Sequence, residues 1–378
     1  MRRTISLLLA LLVIFPKGAV QADSSKQAVQ ELLDVAVTEG RIPAAVAFLA
    51  KGDELLWTVT TGSFDEGVPM RADAIMPLAS VGKMFTATAA MILVEKGKLD
   101  LQAPVSAYIE GFPVDSGITV RHLLTHTTGF TVDGDAFWAT WDEHVGSTTS
   151  TTSDFALDLA ELPRKEPGSV FEYGQTGAAY EVLGAVIENA SGQTLEEFMH
   201  GQIFEPLGLR DSSFYIPAEL AYRLPAIYRM ADGVLTLDRP QGEDFSRSTF
   251  LHGGGGVRTS ARDAYSFARM LLNHGELDGT RLLQASTVER MMSDQLGELV
   301  PDRWRARGSS WGYGAAVRLA EDGSARQYGW VGGGFAKLFM DLQEGLIGFI
   351  CVPMTPPGDN DLLREFEQVI YENYTTSD

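Results

Sequence analysis

Leu78-Ala79-Ser80-Val81-Gly82-Lys83-Met84-Phe85 sets a serine three residues before a lysine, at the mouth of an apolar run: Phe85, Ala87, Ala89, Ala90, Met91, Ile92, Leu93 and Val94. The run is apolar on every side, so it reads as a helix buried in the core, with Gly97 as its C-terminal stop. Ser80 then lies at the helix N-terminus, with Lys83 about one turn on and on the same face. A serine hydroxyl is a weak nucleophile until a base takes its proton. A lysine does so only as the neutral amine, a form that burial and the positive end of a helix dipole both favour. The same helix end offers free N–H groups to an oxyanion. The competing reading is a serine cap followed by a solvated lysine. Against it, this is the only Ser/Thr-x-x-Lys in a chain with eight lysines, and Lys83 stands among apolar neighbours.

The surrounding 378 residues are 45% hydrophobic and 21% charged, a globular balance with length for a large core. Arg2 and Arg3, the apolar stretch Ile5 to Phe15 and the small residues Val20-Gln21-Ala22 read as a secretory leader over residues 1–22. That places the mature chain outside the cell or in the periplasm. The apolar part is too short to span a bilayer, and no stable membrane insertion is expected after cleavage. Loss of Arg2, Arg3 and Lys17 takes the net charge from −20 to −23, which repels nucleic acid and anionic lipid. Cys351 is the single cysteine, so no internal disulfide forms; it stands in the apolar run Leu346 to Val352 and reads as a core residue.

Ser25 to Glu39 has helical spacing. Ala44 to Ala50 and Leu55 to Thr60, joined through Lys51-Gly52-Asp53-Glu54, read as a hairpin. Tyr313 to Leu319, Arg326 to Trp330, Ala336 to Leu342 and Leu346 to Val352 read as strands, with turns at Asp322-Gly323 and Glu344-Gly345; Asp361 to Tyr374 reads as a closing helix. The expected fold is α/β: an antiparallel sheet built from both chain ends (about 25–70 and 305–378), flanked by terminal helices, with a mostly helical region (about 71–304) inserted. Gly146 to Ser153 reads as a loop.

Two further stretches carry chemistry. Pro167 to Gln175 places Tyr173 after a turn and before the helical run Ala178 to Ala190. Aimed at Ser80 and Lys83, it could pass a proton to a leaving group; otherwise it is a tyrosine packed in a loop. Gln327 to Phe335 is a strand edge running into Gly332, Gly333 and Gly334, where a substrate carbonyl could approach the backbone and meet a second N–H donor; otherwise it is a bulge or turn.

Other features invite different readings. Gly308-Ser309-Ser310-Trp311-Gly312 and His252-Gly253-Gly254-Gly255 look like parts of an α/β-hydrolase, but no histidine follows His274 to complete a triad. His122 and His126 are four apart without a third ligand, which favours a hydrogen-bonded structural role and no metal. Phe137, Trp138 and Trp141, in a loop-rich stretch, either roof an acyl pocket or belong to the core.

With these motifs in view, the chain from about Ser25 onward resembles the serine β-lactamase-like superfamily, the branch of class C β-lactamases, DD-peptidases and family VIII carboxylesterases. The likeness rests on Ser80-x-x-Lys83, His122 to Phe130, Pro206 to Phe214, Gly253 to Leu283 with Thr259-Ser260-Ala261-Arg262-Asp263, and Trp311-Gly312-Tyr313-Gly314. It implies a sheet domain and a helical domain with the site between them. It also implies Ser80 as acylated nucleophile, Lys83 and Tyr173 as the acid/base pair, and the N–H groups of Ser80 and Gly333 as oxyanion hole, without a cofactor. Where lactamases and DD-peptidases carry Tyr-x-Asn, this chain has Tyr173-Gly174-Gln175, an amide with longer reach. Where they carry Lys-Thr-Gly or His-Thr-Gly, it has Trp330-Val331-Gly332, which removes the cation for a substrate carboxylate and offers an indole to an apolar acyl or alcohol group. Trp-x-Gly resembles the family VIII esterases. The expectation is therefore a serine carboxylesterase acting on a small-molecule ester, with Gln175, Trp330, Gly332, Trp138 and Trp141 contacting substrate. The alternatives are an amide hydrolase of β-lactams or D-amino-acid peptides, and a binding protein that keeps the fold without turnover.

Overall fold

The computed structural model describes residues 17–130, 134–145, 147, 149–162, 164–173, 178–243 and 250–374. Its centre is an eight-stranded antiparallel sheet. In spatial order the strands are Ser309–Trp311, Ala316–Leu319, Ala325–Gly332, Ala336–Asp341, Leu346–Cys351, Ala44–Lys51, Glu54–Asp65 and Val68–Pro69. The two ends of the chain meet in the middle, where Phe48 lies opposite Phe349. Ala44 to Ala50 is buried at every position because helices cover both faces, which is why this strand reads as an unbroken apolar run. One face carries the helices Lys17–Thr38 and Asn360–Tyr374, packed on each other; the other carries Ala261–Leu272 and the helical region.

The α/β architecture and the expected elements are present, with strand limits shifted by up to five residues, as where Leu55 to Thr60 extends to Asp65, and with the short edge strands Ser309–Trp311 and Val68–Pro69 added. Of the expected leader, residues 1–16 lie outside the described set, and residues 17–22 begin the first helix. No helix among the described residues is long and apolar enough to cross a membrane. Phe137, Trp138 and Trp141 lie on a helix, Gly134–His144, not in a loop. Cys351 is fully buried, and burial pushes its thiol pKa up to about 12, in keeping with a core residue.

Candidate active site

Ser80 is placed by backbone pairing. Met76–Pro77 pairs with Arg258–Thr259, and the Leu78 N–H continues that ladder to the Val257 carbonyl at 3.1 Å. The chain then turns sharply: Ala79 has a φ of 43°, a left-handed conformation that costs an alanine roughly 1–2 kcal/mol. A single 3₁₀ turn, Ala79–Gly82, follows and runs into the helix Lys83–Glu95. Ser80 therefore precedes the α-helix, and Lys83 is its first residue. Side chains three apart eclipse in a 3₁₀ turn, and this sets the lysine amine against the serine hydroxyl. Lys83 Nζ donates to Ser80 Oγ at 2.8 Å.

Lys83 is 2% exposed. Its amine also donates to the Gly254 carbonyl at 2.7 Å, and it lies 5.7 Å from the ring centres of both Tyr173 and Tyr180. The next turn of the helix binds the same loop, through Thr86 Oγ1 to the Gly253 carbonyl at 2.6 Å. The loop of glycines 253–256 is thus the ceiling over Lys83. The His252-to-Gly255 stretch that looked like a lipase loop serves here as an acceptor for the lysine.

Tyr173 hangs from a rail. Its segment is hydrogen-bonded to residues 126–129: Glu172 N–H to the His126 carbonyl (2.9 Å), Gly168 N–H to Thr127 (2.7 Å) and Lys165 N–H to Gly129 (2.7 Å). Gly129 has a φ of 79°, and a Cβ there would stand 2.2 Å from the Lys165 carbonyl, so only glycine lets the strands approach. At the far end the phenol oxygen accepts the Trp330 indole N–H at 2.7 Å. Trp330 in turn stacks on Trp304 (5.8 Å) and meets Trp311 edge-on (4.8 Å). The indole expected to face an acyl group has its N–H committed inside the protein.

His126 packs beside Tyr173 (4.8 Å) and Trp311 (5.0 Å), 2% exposed. Burial holds its pKa well below 6.5, so it stays neutral. His122 instead closes a capping box with Thr119, accepting the Thr119 N–H on Nδ1 at 3.2 Å. Ser310 is fully buried and bonds to Asp294.

The glycine end of Ala325–Gly332 abuts the turn that carries Ser80. A Cβ on Gly332 would stand 2.1 Å from the Leu78 carbonyl, so the strand approaches as bare backbone. Gly333 and Gly334 follow with φ of 58° and 79°. The structure thus brings Ser80, Lys83, Tyr173, Trp330 and Gly332 into one neighbourhood. Gln175 lies outside the described residues. Trp138 is 47% exposed, packed on Phe137 and Trp141. Trp141 is half-buried and meets His252 edge-on at 4.6 Å.

The sequence shows Gly254 only as part of a lipase-like loop, without the link to Lys83. It gives no sign of Glu181, a carboxylate within the apolar run Ala178 to Ala190 that is fully buried and bonds to the same Gly254.

Comparison with known proteins bears on the whole chain. The model of the family described as Beta-lactamase matches residues 26–369. Penicillin-binding protein 4 of Amycolatopsis lactamdurans is 30% identical over 297 residues, 76% of this chain and 74% of that one. Esterase EstB of Burkholderia gladioli is 30% identical over 344 residues, 81% and 83%. Among solved structures, EstCE1, described as a hydrolase with promiscuous acyltransferase activity, superposes with a TM-score of 0.76 at 23% identity, covering 93% of this chain and 99% of its own; at that identity the likeness speaks for the fold.

Proposed function

The chain belongs to the Beta-lactamase family, and from that footing we propose that it is a serine hydrolase cleaving carboxylic esters through an acyl-enzyme on Ser80. The observation that carries this reading is the 2.8 Å bond between Lys83 Nζ and Ser80 Oγ, made by an amine shut away from solvent. A bland pairing of a serine cap with a solvated lysine would leave the amine in water.

In the proposed reaction Ser80 Oγ attacks the ester carbonyl and its proton passes to Lys83. The carbonyl oxygen gains the negative charge and is held by the N–H groups of Ser80 and Gly333, each donor worth about 10²–10³ in rate. The carbon–oxygen bond to the alcohol breaks as Tyr173 protonates the departing oxygen. Lys83 hands its extra proton to the Tyr173 phenolate, which resets both groups. Water then attacks the acyl-serine, giving one proton to the Lys83–Tyr173 pair. The pair returns it to Ser80 Oγ as the ester bond breaks and the carboxylic acid leaves. The Trp330 N–H occupies one lone pair of the phenol oxygen, which leaves the phenol proton free to point at the leaving group.

Ester rather than amide substrates are favoured by position 330. An indole stands there, so a carboxylate of a β-lactam or peptide finds no cation at that place, while the half-buried, stacked rings of Trp304 and Trp330 suit an apolar group. The 30% identity to a penicillin-binding protein keeps amide chemistry as the second reading. The leader read at residues 1–22 supports action in the periplasm or outside the cell.

The test is turnover of short-chain nitrophenyl esters and of a chromogenic cephalosporin by wild type and Ser80→Ala. The expected result is ester hydrolysis exceeding cephalosporin hydrolysis and lost, by at least about 10³-fold, in the variant. Equal ester rates would end the proposal. Faster cephalosporin turnover moves it to the amide reading, and failure of a fluorophosphonate to label Ser80 moves it to a binding protein.

A further inference from the structure

Glu181 is a carboxylate without access to water, on the helix Ala178–Ser191. Burying such a group is costly unless its oxygens are partnered. One oxygen, Oε1, accepts the Gly254 N–H at 3.1 Å and also contacts His252 Nδ1; the other, Oε2, has no partner. The carbonyl of the same Gly254 accepts the Lys83 amine. A single residue is thus gripped by the carboxylate on its N–H side and by the catalytic-site amine on its C=O side. A Cβ on Gly254 would stand 2.4 Å from Glu181 Oε1, so a larger residue there would displace the carboxylate. The flanking glycines are as tight, Gly253 on the Tyr180 carbonyl (2.5 Å) and Gly255 on the Ala79 backbone (2.9 Å). The loop is therefore clamped between the Glu181 helix and the turn that carries Ser80. His252 has a third of its side chain exposed, and Trp141 braces its ring.

We infer that Glu181, backed by His252, is a positioning residue for Lys83: it fixes Gly254 so that the loop carbonyl holds the amine against Ser80 Oγ. Gly254 links the two groups directly, its N–H bonded to Glu181 and its carbonyl to Lys83. The inference rests on the reading of Lys83 as the base for Ser80.

The experiment uses the full chain and nitrophenyl ester kinetics, with Ser80→Ala as control. Glu181→Ala is expected to lower kcat about 10–100-fold with KM held within about twofold, and to slow fluorophosphonate labelling of Ser80 in proportion. Glu181→Gln keeps an oxygen that can accept the Gly254 N–H and is expected to restore kcat to within about fivefold of wild type. If the alanine variant does not fold, Glu181→Asp replaces it, one methylene short of the loop, with about a tenfold fall in kcat expected. Wild-type kcat in Glu181→Ala or Glu181→Asp overturns the inference. So does an equal loss in the glutamine and alanine variants. Full activity in Ser80→Ala instead overturns the reading of the site, whatever Glu181 does.

Discussion

The indole N–H of Trp330 donates to the Tyr173 hydroxyl at 2.7 Å, so a strand of the sheet and a loop of the helical region meet in one hydrogen bond at the candidate active site. At position 330 a neutral donor touches the phenol. Trp330→Phe keeps the ring and deletes the N–H. A neutral hydrogen bond is worth about 1 kcal/mol net, so kcat for a short ester should fall about fivefold with little change in KM. Steady-state kinetics check this, and an unchanged kcat would show that Tyr173 needs no help from the indole.

Gly129 governs the same tyrosine from the other side. Gly129→Ala places a methyl 2.2 Å from the Lys165 carbonyl at a φ of 79°. The rail should open and carry Tyr173 away from Lys83. Ester turnover is expected to fall by tenfold or more, while fluorophosphonate labelling of Ser80, which needs the lysine more than the tyrosine, falls less. Equal losses in both readouts would mean that the site collapses as a whole.

A stability test lies on the far face of the sheet. Lys337 and Glu367 form a pair with side chains only 12% and 9% exposed, tying the closing helix to Ala336–Asp341. Burial lowers the Lys337 pKa while Glu367 opposes that fall. Glu367→Gln strands the ammonium, and breaking a buried pair from one side costs about 3–5 kcal/mol. Urea unfolding should show a loss of that order, most of it recovered in Glu367→Gln/Lys337→Met. No recovery would locate the cost in Gln327 and Arg318, which also bond to Glu367.

Asp263 gives a pH test. It is 1% exposed, and burial raises its pKa from 3.8 to about 6 despite the Asp211 N–H bond at 2.7 Å. The folded state therefore prefers the protonated acid. Its contribution is complete below pH 3.8 and is lost as pH rises to about 6, a change of roughly 3 kcal/mol. Asp263→Asn does not ionise, so its stability relative to wild type should rise between about pH 4 and pH 7 and level off above. Unfolding free energies of both proteins across that range decide it; a constant difference would contradict the assignment.

Much of this was legible in the chain. The Ala44–Lys51 hairpin and the last three strands announce themselves through apolar runs cut by glycine turns, and Ser80 and Lys83 through a three-residue spacing that one 3₁₀ turn converts into contact. What stayed hidden depends on partners distant in sequence. Met76–Pro77 against Arg258–Thr259 is a two-residue ladder with no pattern of its own. The loop of glycines 253–256 gave no hint of which helices would pinch it. The hydrogen bond of Trp330 follows from where Tyr173 ends up, and no property of the indole alone announces it. The helix Gly134–His144 was missed for a different reason. Polar neighbours masked the four-residue spacing of Phe137 and Trp141, which does mark a helical face.

The sheet also dictates an order of assembly. Ala44–Lys51 has Leu346–Cys351 as a neighbour, and the backbone that abuts Ser80 arrives with Gly332. During synthesis Ser80 and Lys83 emerge long before the strands that flank them. A nascent chain thus lacks the backbone that abuts Ser80 until Gly332 has emerged, so a chain truncated before that residue leaves the serine without its neighbouring strand.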